Sequence, residues 1–274
     1  MNRRKQILPH LFLLPYILII LYPLYFVLTT SFKESSQIRL DPWGLPKSFN
    51  LEHYQNVLTS NTIGIYFFNS LLVTTVATVA GLILALMIAY AVSRMRFPHL
   101  NKLVYGVLLF SLLIPPVSLL IPLYILIKDM NLYNTYWALI IPYTAFGIPI
   151  SVFIIAAFLK SVPRELEEAG VIDGLTVYGL LFRIVLPLTT PTLVTVFILN
   201  FLGHWNEYIF ASLLLASQEL RTLPVAVKFF MDKFNFNYGA VCASVVLSAA
   251  PVIIVYAILQ RKIIEGVAAG SLKG

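Results

Sequence analysis

Long apolar runs alternate with short polar connectors along the whole chain. Six of these runs, roughly 11–31, 67–92, 103–127, 136–159, 187–215 and 239–260, are candidates for spanning helices, because about 20 mostly apolar residues carry a helix across the hydrocarbon of a bilayer. In lipid each backbone polar group has to be satisfied within its own segment. The pattern therefore predicts an all-α integral membrane protein with six transmembrane helices. Arg3, Arg4 and Lys5 stand before the first run as they would in a secretion signal, but the run is longer than a signal core and no small-x-small cleavage site follows. The expectation is an anchored first helix.

The connectors set an orientation. Assigned alternately to the two sides, they place twelve of the nineteen Lys and Arg residues with the N- and C-termini, among them Arg94, Arg96, Lys102, Lys160, Arg164 and Arg183. Basic residues are retained on the cytoplasmic side, so both termini are expected to be cytoplasmic. The long connectors on the other side, about 32–66 and 216–238, contain Pro42, Trp43, Gly44 and Pro46 and suit loops with short interfacial helices. Prolines also mark the spans: Pro115, Pro116 and Pro122 in the third, Pro142 and Pro149 in the fourth, Pro187 and Pro191 entering the fifth, and Pro251 in the sixth. Each frees backbone groups that a neighbour or water must satisfy, as an ordinary kink or as a hinge.

Composition agrees with the pattern. The chain of 274 residues is 59% hydrophobic and 11% charged, with a mean hydropathy of +0.86, which does not suit a water-soluble surface. The net charge of +7 comes from short clusters between apolar runs, not from a basic stripe. It points to anionic membrane lipid and away from nucleic acid. The single cysteine, Cys242, excludes an intrachain disulfide and a thiol metal cluster. No phosphate-binding GxxxxGK[ST] loop, HExxH helix or GxSxG turn occurs, and the four histidines are scattered, so neither ATP hydrolysis by this chain nor a metal or cofactor is expected. No internal repeat suggests a two-halves carrier.

Charge inside the spans is concentrated in one place. In NFLGHWNEYIF of the fifth span, Asn200, His204 and Glu207 follow at intervals of four and three residues and would share a helix face. About 16 residues beyond Pro191, or roughly 24 Å of helix, Glu207 should lie in the outer half of the bilayer. A carboxylate there either reaches the interface, with Trp205 and Tyr208 as belt aromatics, or belongs to a polar pathway or subunit interface that spares it from lipid.

A second concentration lies in the connector 160–186, where Glu165, Glu167, Glu168 and Asp173 make up four of the twelve acidic residues. SVPRELEEAGVIDG reads as a helix start: Pro163 suits the first turn and the acids suit the positive end of the helix dipole. Leu166, Ala169, Gly170 and Asp173 would lie along one face, and Gly174 can end the helix in the left-handed region. One reading is a short amphipathic helix lying on the membrane surface. Surface-lying helices favour Lys and Arg over acids, however, because the inner leaflet is anionic, and an acidic helix with a small-residue face suits docking into protein.

The stretch ELEEAGVIDGLTVYGLLFRIVLPLTTP resembles the EAA loop of ABC importer permeases, with Glu168, Ala169, Asp173, Gly174 and Pro187 in register. It departs from that pattern at Gly170, Leu175 and Leu181. NSLLVT from Asn69, WNEYIFA from Trp205, TLPVAV from Thr222 and the tail QRKIIEGVAAGSLKG are similar to the carbohydrate branch, to the six-helix permease of the maltose-transporter type. This resemblance spans essentially the whole chain, 1–274, as one permease domain. It implies a subunit in the cell (inner) membrane that forms a heterodimer with a second permease, served by two copies of a cytoplasmic ATPase and by an extracytoplasmic solute-binding protein. It further implies that Glu168, Ala169, Gly170, Asp173 and Gly174 dock the ATPase as a coupling helix, flanked by Glu165 and Glu167, and that the glycine-rich tail from Gly266 approaches the ATPase pair. The expected cargo is a sugar or oligosaccharide. The alternatives are a polyol, a glycerol phosphodiester or a peptide, or, in another class, a self-sufficient secondary carrier.

Overall fold

The computed structural model describes residues 3–59, 62–95, 97–225, 227–228 and 237–271. Among these residues all regular secondary structure is helical. Arg96, residues 229–236 of the second long connector and the last three residues of the glycine-rich tail lie outside the described residues. The chain divides into two compact units, Met1–Phe67 with Leu223–Pro251, and Phe68–Thr222 with Val252–Gly274.

The first unit holds α1 (Arg3–Thr30), α2 (Ser35–Leu40), α3 (Glu52–Thr59), the start of α4 (Thr62–Arg94) and most of the apolar part of the last helix, α12 (Tyr238–Ser271). The side chains of α1 are exposed from Leu13 to Tyr25, as those of a span meeting lipid would be. Beyond the helix end the chain is knotted by polar contacts. Lys33 is fully buried, and its Nζ donates to the carbonyls of Pro42 at 2.7 Å and Asp41 at 3.3 Å. Its own carbonyl lies 2.9 Å from His53 Nε2. A buried ammonium needs such acceptors to offset its lost hydration. Gly239 passes so close to the His53 ring that a Cβ would collide with it.

The second unit contains the rest of α4, α5 (Pro98–Leu113), a 3₁₀ turn (Pro116–Leu119), α6 (Leu120–Asp129), α7 (Trp137–Ser161), α8 (Glu165–Ile172), α9 (Val177–Leu180), a π turn (Leu181–Val185), α10 (Leu186–Trp205) and α11 (Ile209–Leu214). Its core joins Ala85, Leu86, Ala89 and Tyr90 of α4 with Val152, Ile155, Ala156 and Leu159 of α7 and Leu193 and Val196 of α10. Alanines on α4 and α7 let these helices approach closely, the packing that replaces hydrophobic drive inside a bilayer.

Among the described residues five helices are long and apolar enough to span: Leu13–Thr30, Ile63–Arg94, Trp137–Ser161, Val177–Trp205 and Tyr238–Ile258. The sequence reading placed an unbroken span at 103–127, and here the structure differs. Pro98–Leu113 and Pro116–Asp129 meet at a bend of 92°, and together they make the sixth candidate. Pro115 and Pro116 are the cause. Neither offers an N–H, and a residue before proline is driven out of the α region; Ile114 is extended at φ −88°, ψ 114° and Pro115 at φ −61°, ψ 127°. Pro122, by contrast, falls in the first turn of α6, where its missing N–H is no loss.

The fifth span is displaced as well. It was expected at 187–215 but runs Val177–Trp205. Thr176 caps its start, with Oγ1 accepting from Gly179 N–H at 3.4 Å. Pro187 and Pro191 therefore lie inside the span and do not mark its entry. The π turn just ahead, closed by Leu186 N–H to the carbonyl of Leu181, gives the Pro187 ring room; such bulges are a common way to carry proline in a helix.

Candidate functional site: the α7–α10 connector and the α7/α10 polar brace

The connector from Ser161 to Thr176 folds into α8, one short helix with two different faces. Its end is a Schellman motif. Leu175 N–H donates to Gly170 O at 2.9 Å and Gly174 N–H to Val171 O at 3.0 Å. This closure requires the left-handed conformation at Gly174, which sits at φ +79° as the sequence led us to expect. The start lies two residues later than expected, at Glu165, with Val162 and Pro163 leading in outside the helix.

The acidic residues do not act as one group. Glu165, Glu168 and Asp173 are exposed. Glu167 turns inward. Its Oε1 lies 2.8 Å from Arg94 Nε, with the two side chains only 13% and 7% exposed, and its Oε2 accepts from Tyr90 OH at 3.2 Å. The Arg94 guanidinium also donates through Nη2 to the carbonyls of Leu159 and Val162, both at 2.7 Å.

The small-residue face is divided in the same way. Ala169 is exposed and Gly170 is buried. A Cβ at Gly170 would lie 2.5 Å from Ile184 Cδ1, 2.8 Å from Leu180 Cδ2 and 3.2 Å from Leu175 Cδ1. The absent side chain at Gly170 thus makes room for this chain's own α9 and π turn. What α8 and the residue after it present outward is Glu165, Leu166, Glu168, Ala169, Val171, Ile172 and Asp173, with Ile172 85% exposed.

Asn200, His204 and Glu207 come together around α7. Asn200 Nδ2 donates to Ser151 Oγ at 2.8 Å. The His204 ring stacks on Tyr143 with centroids 5.0 Å apart and planes 8° from parallel, and its Nδ1 lies 3.1 Å from Thr78 Oγ1 on α4. Gly147 lets α10 this close; a Cβ there would meet Asn200 Oδ1 at 2.7 Å. Glu207 does not continue the α10 face, because the helix ends at Trp205. It lies in the turn before α11, where Oε1 accepts from Phe210 N–H at 2.8 Å and Oε2 from Ala211 N–H at 3.1 Å and Tyr143 OH at 2.6 Å. The carboxylate satisfies the first free N–H groups of α11 in the manner of an N-terminal cap.

Two asparagines tie down the neighbouring loop, Asn134, which the sequence did not single out, and Asn69, which it marked only as the start of NSLLVT. Asn134, at φ +59°, accepts through Oδ1 from Ala216 N–H at 2.9 Å and Ser217 N–H at 2.8 Å. Asn69 Nδ2 donates to the carbonyls of Glu219 at 2.7 Å and Arg221 at 2.9 Å, and Asn69 Oδ1 accepts from Tyr136 OH at 2.7 Å. Among the described residues no three His, Cys, Asp or Glu side chains gather as a metal site.

Comparison with known proteins identifies the family. The family of binding-protein-dependent transport system inner membrane components matches residues 77–267. The Bacillus subtilis (strain 168) protein named "Probable ABC transporter permease protein YurM" is 38% identical over 96% of this chain and 87% of its own length. A diacetylchitobiose uptake system permease protein, NgcG of Streptomyces coelicolor, is 32% identical over 99% of this chain and 90% of its own. Among solved structures, a chain of a bacterial ABC transporter involved in the import of the acidic polysaccharide alginate superposes with a TM-score of 0.82, covering 95% of this chain and 98% of that one. At 23% identity, that likeness is one of fold.

Proposed function

This chain belongs to the family of binding-protein-dependent transport system inner membrane components, and on that premise we propose that it is the permease subunit of an ATP-driven ABC importer for a sugar or oligosaccharide. It sits in the cell membrane as one multi-pass permease unit, with both termini cytoplasmic. It forms the translocation pathway with a second permease, as a heterodimer. Two copies of a cytoplasmic ATPase and an extracytoplasmic solute-binding protein complete the assembly, and ATP hydrolysis belongs to the ATPase subunits. The sugar class is supported by relatives such as the diacetylchitobiose permease.

The observation that carries the coupling role is the outward face of α8. A helix in a connector between two spans that leaves Val171 57% and Ile172 85% exposed beside Glu165, Glu168 and Asp173 offers a surface suited to a protein cleft. Ala169 allows close approach there, Gly174 sets the exit of the chain, and Gly170 and Glu167 hold the helix from behind. Closure of the ATPases on ATP moves the docked α8, the spans tilt to open outward, and hydrolysis resets them. Asn200, His204 and Glu207, half-buried, set the shape of the bundle where it borders the pathway or the second permease.

Purification from native membrane in mild detergent tests this reading. An ATPase, a second permease and a binding protein should accompany the chain, and the recovered binding protein should bind an oligosaccharide. Solute transport by the purified chain alone in liposomes would replace the reading with that of a self-sufficient carrier.

A further inference from the structure

Arg94 is the last residue of α4, at a point where a surface arginine would ordinarily reach into water. Here it is 7% exposed and meets three acceptors on two other segments. Nε faces Glu167 on α8 at 2.8 Å, and Nη2 reaches the carbonyls of Leu159 and Val162 at the end of α7, both at 2.7 Å. Carbonyls of a last turn lack the usual i+4 partner, Leu159 O accepting within the chain from Val162 N–H at 3.1 Å, and carry the negative end of the helix dipole, so a cation there is favoured. Tyr90, one turn earlier on the same face of α4, holds the other oxygen of Glu167 at 3.2 Å. Two residues of α4 therefore grip one carboxylate of α8, and one of them also grips the end of α7.

We propose that Arg94 is the positioning residue that makes α8 move as one body with the adjoining ends of α4 and α7, so that displacement of the docked helix becomes displacement of the spans. The proposal rests on the reading of α8 as the coupling helix. A planar guanidinium suits this role because its donors are fixed in a fork and can hold three acceptors at once, whereas a lysine is a single flexible point charge. The link is also all or nothing, because removing one partner of a buried pair strands the other charge.

The assembled transporter, reconstituted with its ATPase and binding protein, provides the test. The measurement is solute moved per ATP hydrolysed, at equal amounts of bound ATPase, for Arg94→Gln, Arg94→Lys, Glu167→Gln and the Arg94→Gln/Glu167→Gln double variant. Arg94→Gln and Arg94→Lys should each lower that ratio at least about fivefold, the low end of ordinary coupling between sites, while ATP hydrolysis continues. The double variant should be no worse than the poorer single one, as expected when two residues act as a unit. Arg94→Lys keeps the charge and serves if Arg94→Gln fails to assemble. A purely structural role would reduce the yield of complex and leave transport per ATP unchanged in the complexes that form, and that result overturns the proposal. If no ATPase accompanies even the unsubstituted chain, the reading of α8 as coupling helix falls, and the role of Arg94 with it.

Discussion

Replacing Glu207 by Gln distinguishes a brace from a solute contact. The carboxylate accepts three hydrogen bonds, from Phe210 N–H at 2.8 Å, Ala211 N–H at 3.1 Å and Tyr143 OH at 2.6 Å. Glutamine has the same shape and one oxygen fewer. If its amide oxygen takes Ala211 and Tyr143, its NH₂ meets Phe210 N–H donor to donor. If it is flipped, the oxygen takes Phe210 and the NH₂ meets Ala211 N–H, while Tyr143 can turn its hydroxyl to accept. Either way one N–H in the first turn of α11 loses its acceptor, at about 1–3 kcal/mol, and the surviving bonds drop from charge-assisted to neutral strength. The sum is about 2–4 kcal/mol. At roughly 2–4 °C per kcal/mol for chains of this general size, thermal unfolding in detergent should shift down by about 4–16 °C. Tyr143→Phe removes one donor and should cost less, and the two changes together should fall short of the sum of their separate effects, since they share a bond. Solute affinity of the assembled transporter should be the same in all three variants. An unchanged unfolding temperature together with altered solute affinity for Glu207→Gln would refute the brace.

The two faces of α8 make opposite predictions. Gly170→Leu forces branched bulk where a Cβ alone would already meet Ile184, Leu180 and Leu175 within 3.2 Å, so it should destabilise the chain itself by about 1–3 kcal/mol, seen as a lower unfolding temperature of the purified subunit. Ala169→Leu, on the exposed face, should leave that temperature unchanged and reduce the ATPase recovered by co-purification. Gly174→Ala places a Cβ at φ +79°; space is open there, so the expected cost is the backbone strain alone, roughly 1–2 kcal/mol, again read by thermal unfolding. Replacing Pro115 and Pro116 together by Ala should relax the 92° bend, and spin labels at the exposed positions Val107 and Ile125 should then move apart toward the roughly 27 Å of a straight helix.

Most of the fold was legible because span existence depends on summed hydropathy, a property of each segment by itself. Where spans break depends on pairwise geometry. Pro115 and Pro116 were visible as punctuation, yet a run of apolar residues reads the same whether the chain continues through it or turns by 92°. The fifth span was misplaced for a related reason. Pro187 looked like an entry point because proline is at home in a first turn, whereas Thr176, an ordinary N-cap with little hydropathy signal, is the true start. Once the span shifts by a turn or more at each end, Glu207 leaves the helix that the four-and-three spacing had assigned to it.

The connector was legible to a different depth. Its helix and its left-handed exit at Gly174 follow from local rules, and the structure bears both out. The local rules also explained all three glutamates at once, by the dipole, and so gave no reason to separate them. What separates Glu167 from Glu165 and Glu168 is Arg94, which in the sequence looked like one more basic residue fixing orientation at the end of a span. Helix periodicity alone orients the residues of α8 relative to one another but does not say which side faces the bundle. That is decided by a guanidinium that cannot be left buried without a counter-charge and by a position, Gly170, where the packing leaves no room for a side chain. The same eight residues thus hold a buried anchor, at Glu167 and Gly170, and an exposed face, and the proposed docking role needs both: an exposed face that bound a motor would transmit nothing unless the opposite face were fastened to what must move.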